Sequence, residues 1–414
     1  MTTELLQKPD PVLRWNLRQL YWDVLWFGIL AGSTIAFQAV YAARLGASGF
    51  QIGLLSAGPA VINLIFTLPS GRWLEGKSLI KISFRSSVWQ RLGYVLLIAL
   101  PWLFRSPDLQ VWGLIWTTLV MSVAGTVLAI SFNAMFAEVL PAEWRAHAVG
   151  RRNILLAISI TAATLICGQI LDLVTFPQNY QVVFFIGAAG ALLSSHHLGR
   201  VRKVDPVDPP GPLPVAGASG VKPAVLRGAL VRMDLLKGPF GLFMVAYLVF
   251  YTFQFFPVPL FPLGYVDHLH LSDGMIGVGN AIFYGAMMLA SFRLVHYSRK
   301  YGHRNVLIVS AALFPAFPLL LGLAKGAGLY YLGCLIGGAV NAMLSGAIIN
   351  RLMERVPVND RPAHMAIHNL ALNLGILAGS LLGPVAADLV GLQPALIVAA
   401  GLRLLAAVFF FLWG

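Results

Sequence analysis

A small set of polar side chains interrupts the long apolar stretches of this chain, and with these groups it could do chemistry. Amides and one phenol can orient a ligand through hydrogen bonds: Gln38, Asn63, Asn133, Gln254, Asn280, Tyr284, Asn341, Asn369 and Asn373. Asp23 and His368 are the two that can also carry a proton. His368, Asn369 and Asn373 form a set, because residues four apart share one helical face. The alternative role for each is a hydrogen bond between helices, worth roughly 0.6 to 2 kcal/mol. Arg91 and Arg403 are cations deep in apolar sequence. Snorkelling to an interface, or an ion pair with a distant acid, would account for them.

Two other patterns look chemical and are set aside. Gly71-Arg-Trp-Leu-Glu-Gly76-Lys77-Ser78 fits the phosphate-cradling pattern G-x-x-x-x-G-K-S, which works only between a strand and a helix. An apolar stretch precedes it here, and no polar segment is long enough for a βαβ unit, so ATP binding is rejected. Asp267, His268, His270 and Asp273 cluster in a short loop, where a metal site is weighed against a solvated loop and the solvated loop is preferred. The sequence offers no nucleophile beside a base and no paired acids at depth. Neither an enzyme nor a bound cofactor is expected.

The elements that hold these groups are membrane spans. Hydrophobic residues make up 58% of the 414 residues and charged ones 11%, against about 25% charge in soluble domains. Crossing a hydrocarbon core takes about 20 apolar residues. Twelve such stretches lie near 20–43, 51–70, 84–104, 111–137, 152–174, 180–198, 239–262, 274–297, 305–324, 328–351, 364–389 and 394–413. The net charge of +13 is spread unevenly: 24 of the 29 Lys and Arg fall in the terminal segment and every second connection, and only Arg44, Arg105 and Lys325 in the others. By the positive-inside rule both termini are cytoplasmic in a multi-pass protein, with a bacterial cytoplasmic membrane expected. The basic excess then serves topology and contact with anionic lipid, and nucleic acid is not expected as a partner. Cys167 and Cys334 fall within spans and suggest neither a disulfide framework nor a metal cluster.

The chain also repeats itself. Glu138, Pro141, Arg145, Asn153, Asp172, Leu173 and Val174 recur 216 positions later as Glu354, Pro357, Arg361, Asn369, Asp388, Leu389 and Val390. Tyr41, Leu45, Ser48, Ile52 and Gly53 recur at an offset of 224 as Tyr265, Leu269, Ser272, Ile276 and Gly277. Fixed offsets over half a chain mark a duplication. The predicted organisation is a cytoplasmic segment 1–18, a six-helix bundle 19–198, a Pro/Gly-rich cytoplasmic linker 199–238 and a second six-helix bundle 239–414. Residues 225–236 could form a short amphipathic helix on the inner leaflet. Span 7 ends in Phe255-Phe-Pro257-Val-Pro259, which cannot stay regular helix and lies where an outer gate would sit. Gly375, Gly379 and Gly383 form a ridge that lets another helix approach closely.

The six-plus-six layout, Gly71-x-x-x-Glu75 after span 2 and the basic run Arg299 to Arg304 around Gly302 after span 8 resemble the signature loops of the major facilitator superfamily. Pro141-x-x-x-Arg145 and Pro357-x-x-x-Arg361 look like that family's loops after spans 4 and 10. The first loop has Gly76, Leu79 and Ile80 where basic residues are usual, and the second has Arg299 at the acid position. The resemblance implies an all-α protein of twelve transmembrane helices in two pseudo-symmetric bundles, with a ligand cavity at the seam. It also implies alternating access, with Gly71, Glu75, Arg145, Arg152, Pro257, Pro259, Gly302 and Arg361 in conformational loops or gates. The expected activity is secondary active transport of a small organic molecule, export being slightly preferred over uptake of a small, anionic metabolite. A coupling proton or cation is a further expected partner. The rival is a non-transporting receptor or scaffold on the same fold.

Overall fold

The computed structural model describes residues 10–74, 76–203, 233–356 and 361–414. Twelve long helices run through them: α1 (Pro11–Arg44), α2 (Gly49–Leu74), α3 (Leu79–Leu103), α4 (Pro107–Val139), α5 (Ala142–Leu173), α6 (Gln178–Leu198), α7 (Pro239–His268), α8 (Asp273–Tyr301), α9 (His303–Leu323), α10 (Ala327–Arg355), α11 (Arg361–Val390) and α12 (Leu392–Trp413). Eleven are long and apolar enough to cross a bilayer by composition. The twelfth, α3, carries Lys81, Arg85 and Arg91, yet its 25 residues span about 38 Å at 1.5 Å per residue. We call the end with residues 76–78, 140–141, 199–203, 233–238, 302 and 356 the basic end. The other, with very short connections, is the far end.

α1 starts nine residues before the apolar stretch does. Asp10 caps it, accepting the Leu13 N–H, and Pro11 supplies the preset φ of a first turn. Residues 11–18 therefore belong to the helix, not to a polar surface segment. Asn16 is fully buried and bonds the Arg202 backbone after α6, and the Trp15 indole donates to the Arg200 carbonyl. Of the expected amphipathic helix, residues 225–232 lie outside the described residues, and Met233–Leu236 is one 3₁₀ turn.

Packing repeats as the sequence does. α1 packs on α5 and α6, α2 on α4, and α3 on α4 and α6. The second half has the matching contacts: α7 on α11 and α12, α8 on α10, and α9 on α10 and α12. Across the seam α5 lies on α8 and α2 on α11. The repeated glycines make those two crossings possible. A Cβ at Gly277 would sit 2.7 Å from the Thr164 carbonyl, and one at Gly53 would collide with the Ser380 carbonyl. Thr164 and Ser380 are themselves 216 apart. The ridge Gly375, Gly379 and Gly383 faces α7, whose backbone at Thr252 and Phe256 occupies the missing Cβ space.

The seam is closed at the far end. Arg44, on the last turn of α1, pairs with Asp273 at 3.1 Å and donates to the Leu271 carbonyl. Asp172, at the end of α5, accepts from the Ser272 hydroxyl at 2.7 Å and the Gly274 N–H at 2.9 Å, capping α8 from across the seam. Toward the basic end α5 and α8 diverge. They leave a cleft of about 460 Å³ between Gly150–Ile160 and Met287–Phe292.

Candidate functional site

α7 is regular to Phe255 and resumes at Leu260, because Pro257 and Pro259 have no N–H to give. The Phe253 carbonyl would take the N–H of residue 257, which is proline. The Gln254 carbonyl would take that of Val258, which turns instead to Phe255. α9 breaks likewise at Phe314–Pro315, and the Phe314 carbonyl faces Pro318 four residues on. Three carbonyls are thus orphaned in apolar surroundings, where each costs several kcal/mol unless satisfied.

Arg403 on α12 satisfies all three. Its guanidinium donates to the carbonyls of Gln254 at 2.6 Å, Phe253 at 3.4 Å and Phe314 at 3.5 Å, and lies 4.2 Å from the Phe314 ring centre. At 3% exposure it does not snorkel, and among the described residues it pairs with no acid, the two explanations expected from sequence. Arg91 does find an acid. It lies 3.7 Å from Asp23, which also pairs with Arg152 at 3.3 Å and accepts from Ser194 at 2.6 Å. Arg18, one turn and more before Asp23, is exposed and stacked on Trp15.

Arg403 also walls a cavity of about 240 Å³ whose other polar linings are Gln254, Asn280, Tyr284 and Asn341. Four of the sequence-predicted ligand residues therefore converge, from three helices. Aromatic rings supply much of the remaining wall: Phe261, Tyr265, Phe283, Phe314 and Phe317. The Gln254 carbonyl oxygen of the side chain is buried with no hydrogen-bond partner. The whole lining, from α7, α8, α9, α10 and α12, belongs to the second half. The cavity therefore lies within the second bundle, where Asn341 reaches Met287, a residue that also lines the cleft between α5 and α8.

The other predicted residues are elsewhere. Asn63 accepts from Thr126 at 2.6 Å, tying α2 to α4. His368 is buried in the second half, its Nε2 2.9 Å from the Tyr251 hydroxyl and its ring against Tyr247. Asn373 donates to the backbone carbonyl of Asn369, so that i, i+4 pair is internal to α11. Asn133 and the Asn369 side chain are exposed, and Gln38 is half-buried on α1. Arg145 folds back onto the final carbonyls of α4, Ala137 and Leu140, at 2.6 and 2.9 Å. Gly302 joins α8 to α9 at φ 80°, a conformation that favours glycine. Gly71 is still within α2, so a helix, not a strand, precedes Gly76-Lys-Ser. Glu75 lies outside the described residues, as does the side chain of Arg361. The loop acids and histidines separate: Asp273 goes to Arg44, and His268 to Gln393 and the Ala324 carbonyl. Sequence reasoning missed the closure itself. Its signal was Arg44, a cation among the sparsely charged far-end connections.

Comparison with curated protein sequences gives no match. The family model described as Major Facilitator Superfamily matches residues 243–414. Among solved structures, a bacterial homologue of the iron transporter ferroportin in an inward-facing state is similar at a TM-score of 0.74, with 13% identity over 98% of this chain and 99% of that one. The nucleoside transporter NupG gives 0.67, with 13% identity over 96% and 98%. The xylose transporter XylE from E. coli, in a partially occluded inward-open conformation, gives 0.69, with 14% identity over 97% and 98%. Residues 243–414 thus match the major facilitator superfamily model, and along the whole chain the twelve-helix fold of this multi-pass membrane protein is similar to that of these transporters.

Proposed function

We propose that the chain is a secondary transporter that carries a small organic molecule across the bilayer by alternating access. Residues 11–198 rock against 239–414 about the seam. The observation that carries this reading is the cleft at the seam between α5 and α8, closed at the far end, with the polar, aromatic-walled cavity of Gln254, Asn280, Tyr284 and Asn341 beside it in the second half. Polar groups at such a seam orient a ligand, and closing one end while opening the other moves it. The wall of Phe and Tyr rings suits an amphipathic organic compound and favours export as the direction. By the positive-inside rule the basic end faces the cytoplasm, so the structure corresponds to the inward-open state. For coupling the candidate is Asp23, whose carboxylate holds Arg152 of α5 and Arg91 of α3 together.

The test is flux in proteoliposomes containing the purified protein, with ligands first found by thermal shift. Asn280→Ala and Asn341→Ala should lower the rate at least several-fold while the protein stays monodisperse. Cysteines at Gln38 and Gln254 should change accessibility in opposite phase to cysteines at Arg152 and His368 as ligand and gradient are varied. Labelling that never changes, with no flux of any ligand that binds, would leave a receptor or scaffold on this fold as the better account.

A further inference from the structure

We infer that the cavity takes the oxyanion of its ligand against Arg403, so that the transported compound is an organic anion with an aromatic or apolar body. The inference rests on the proposed transport reading for its word "transported", but the binding claim stands on its own geometry.

Arg403 brings a positive charge into the second half, and among the described residues it has no ion pair with an Asp or Glu. In the first half the two deep arginines, Arg91 and Arg152, share Asp23. None of the described acids of the second half, Asp234, Asp267, Asp273, Glu354 and Asp388, is among the residues that line the cavity. Three backbone carbonyls offset part of the charge, since each offers a dipole but no net charge. They occupy three of the five N–H groups of the guanidinium. Arginine presents its donors as a planar fork suited to carboxylate, sulfonate or phosphate oxygens. A buried cation without a counter-charge is costly, and a ligand that brings one gains what the empty site lacks. The neighbouring Gln254, Asn280, Asn341 and Tyr284 can donate to further ligand oxygens, and no lining residue carries negative charge to repel an anion. The rings of Phe261, Phe283, Phe314 and Phe317 fit the apolar remainder.

The experiment uses matched acid and amide probes on the full-length protein: benzoate with benzamide, hexanoate with hexanamide, and 2-naphthoate with 2-naphthamide. Binding is read by thermal shift and by titration calorimetry. We expect at least one acid to bind on the order of tenfold more tightly than its amide. Arg403→Gln should abolish that preference. Because Arg403→Gln also removes the staple on three carbonyls and can fail to fold, Asn341→Asp is the second variant. It is isosteric, leaves Arg403 in place and puts an acid in the same cavity, so it should remove the preference as well. No acid preference in any pair, or a preference that survives Asn341→Asp in folded protein, overturns the inference. If a neutral compound is carried while no acid is preferred, the anion site fails and transport stands. If acid binding depends on Arg403 and nothing crosses the vesicle wall, the site stands and transport fails.

Discussion

Asp23 is 3% exposed and stands between two guanidiniums and a hydroxyl, so its removal leaves charges that no neighbour can absorb. Breaking a buried ion pair at one partner costs about 3 to 5 kcal/mol, whereas removing both charges is far milder. Asp23→Asn should therefore destabilise strongly in thermal unfolding. The double variant Asp23→Asn with Arg152→Gln should recover a large part of the loss, giving a coupling well above the roughly 0.6 kcal/mol average for polar pairs in membranes. Additive effects would mean that the 3.3 Å contact contributes little. At this scale the sequence was half legible. A polar residue within a span marks itself, which is how Gln254, Asn280, Tyr284 and Asn341 were found. His368 and Asn373 mark themselves equally well, yet their partners are Tyr251 and a backbone carbonyl of the same helix. Nothing local distinguishes a side chain facing a cavity from one facing a neighbouring helix. Arg403 was opaque for a related reason. Its partners are carbonyls freed by prolines some 85 and 146 positions away, a dependency created only when α7, α9 and α12 pack together.

The helices themselves were readable, because apolar length and proline placement are local properties, and the boundaries that moved did so for local reasons such as the Asp10 and Pro11 cap on α1. What the repeated residues are for required the packing. Ser48 and Ser272 both cap the helices they precede: Ser48 exchanges bonds with Gln51, and Ser272 accepts from Met275. Gly53 and Gly277 hold the two seam crossings, α2 on α11 and α5 on α8. These crossings are equivalent, so equivalent damage is expected. Gly53→Val and Gly277→Val should each push apart helices that now touch backbone to side-chain distance, lowering the unfolding midpoint by similar amounts. A control at Gly150, where a Cβ would meet nothing within 4 Å, should be tolerated. A large effect at only one crossing would mean that the duplication no longer shares load between its halves.

For the whole molecule the alternating access proposed above would depend on a closure that breaks the repeat's symmetry. Asp172 caps α8 across the seam through Ser272 and Gly274. Its repeat partner Asp388 should cap α2 in the same way through Ser48 and Phe50, but it is exposed and makes no such bond. The reason is one residue. At Gly274 a Cβ would collide with the Asp172 carboxylate, and the position equivalent to Gly274 is Phe50, which carries that Cβ and a ring besides. Arg44 adds to the same side through Asp273. Far-end closure is thus held largely at the α5–α8 crossing, and the three acidic and basic groups there set its free energy. Losing one should weaken closure by about 1 to 2 kcal/mol, a shift of roughly 5- to 30-fold in the ratio of closed to open far end. Spin labels on cysteines at Phe176 and Val390, both exposed at the far end, read that ratio as a distance distribution; the native Cys167 and Cys334 are buried. Asp172→Asn and Arg44→Gln should each populate the longer distance, and Asp388→Asn should leave the distribution as it was. If Asp388→Asn shifts it as far as Asp172→Asn does, closure is shared by both crossings and the asymmetry has no bearing on the transport cycle.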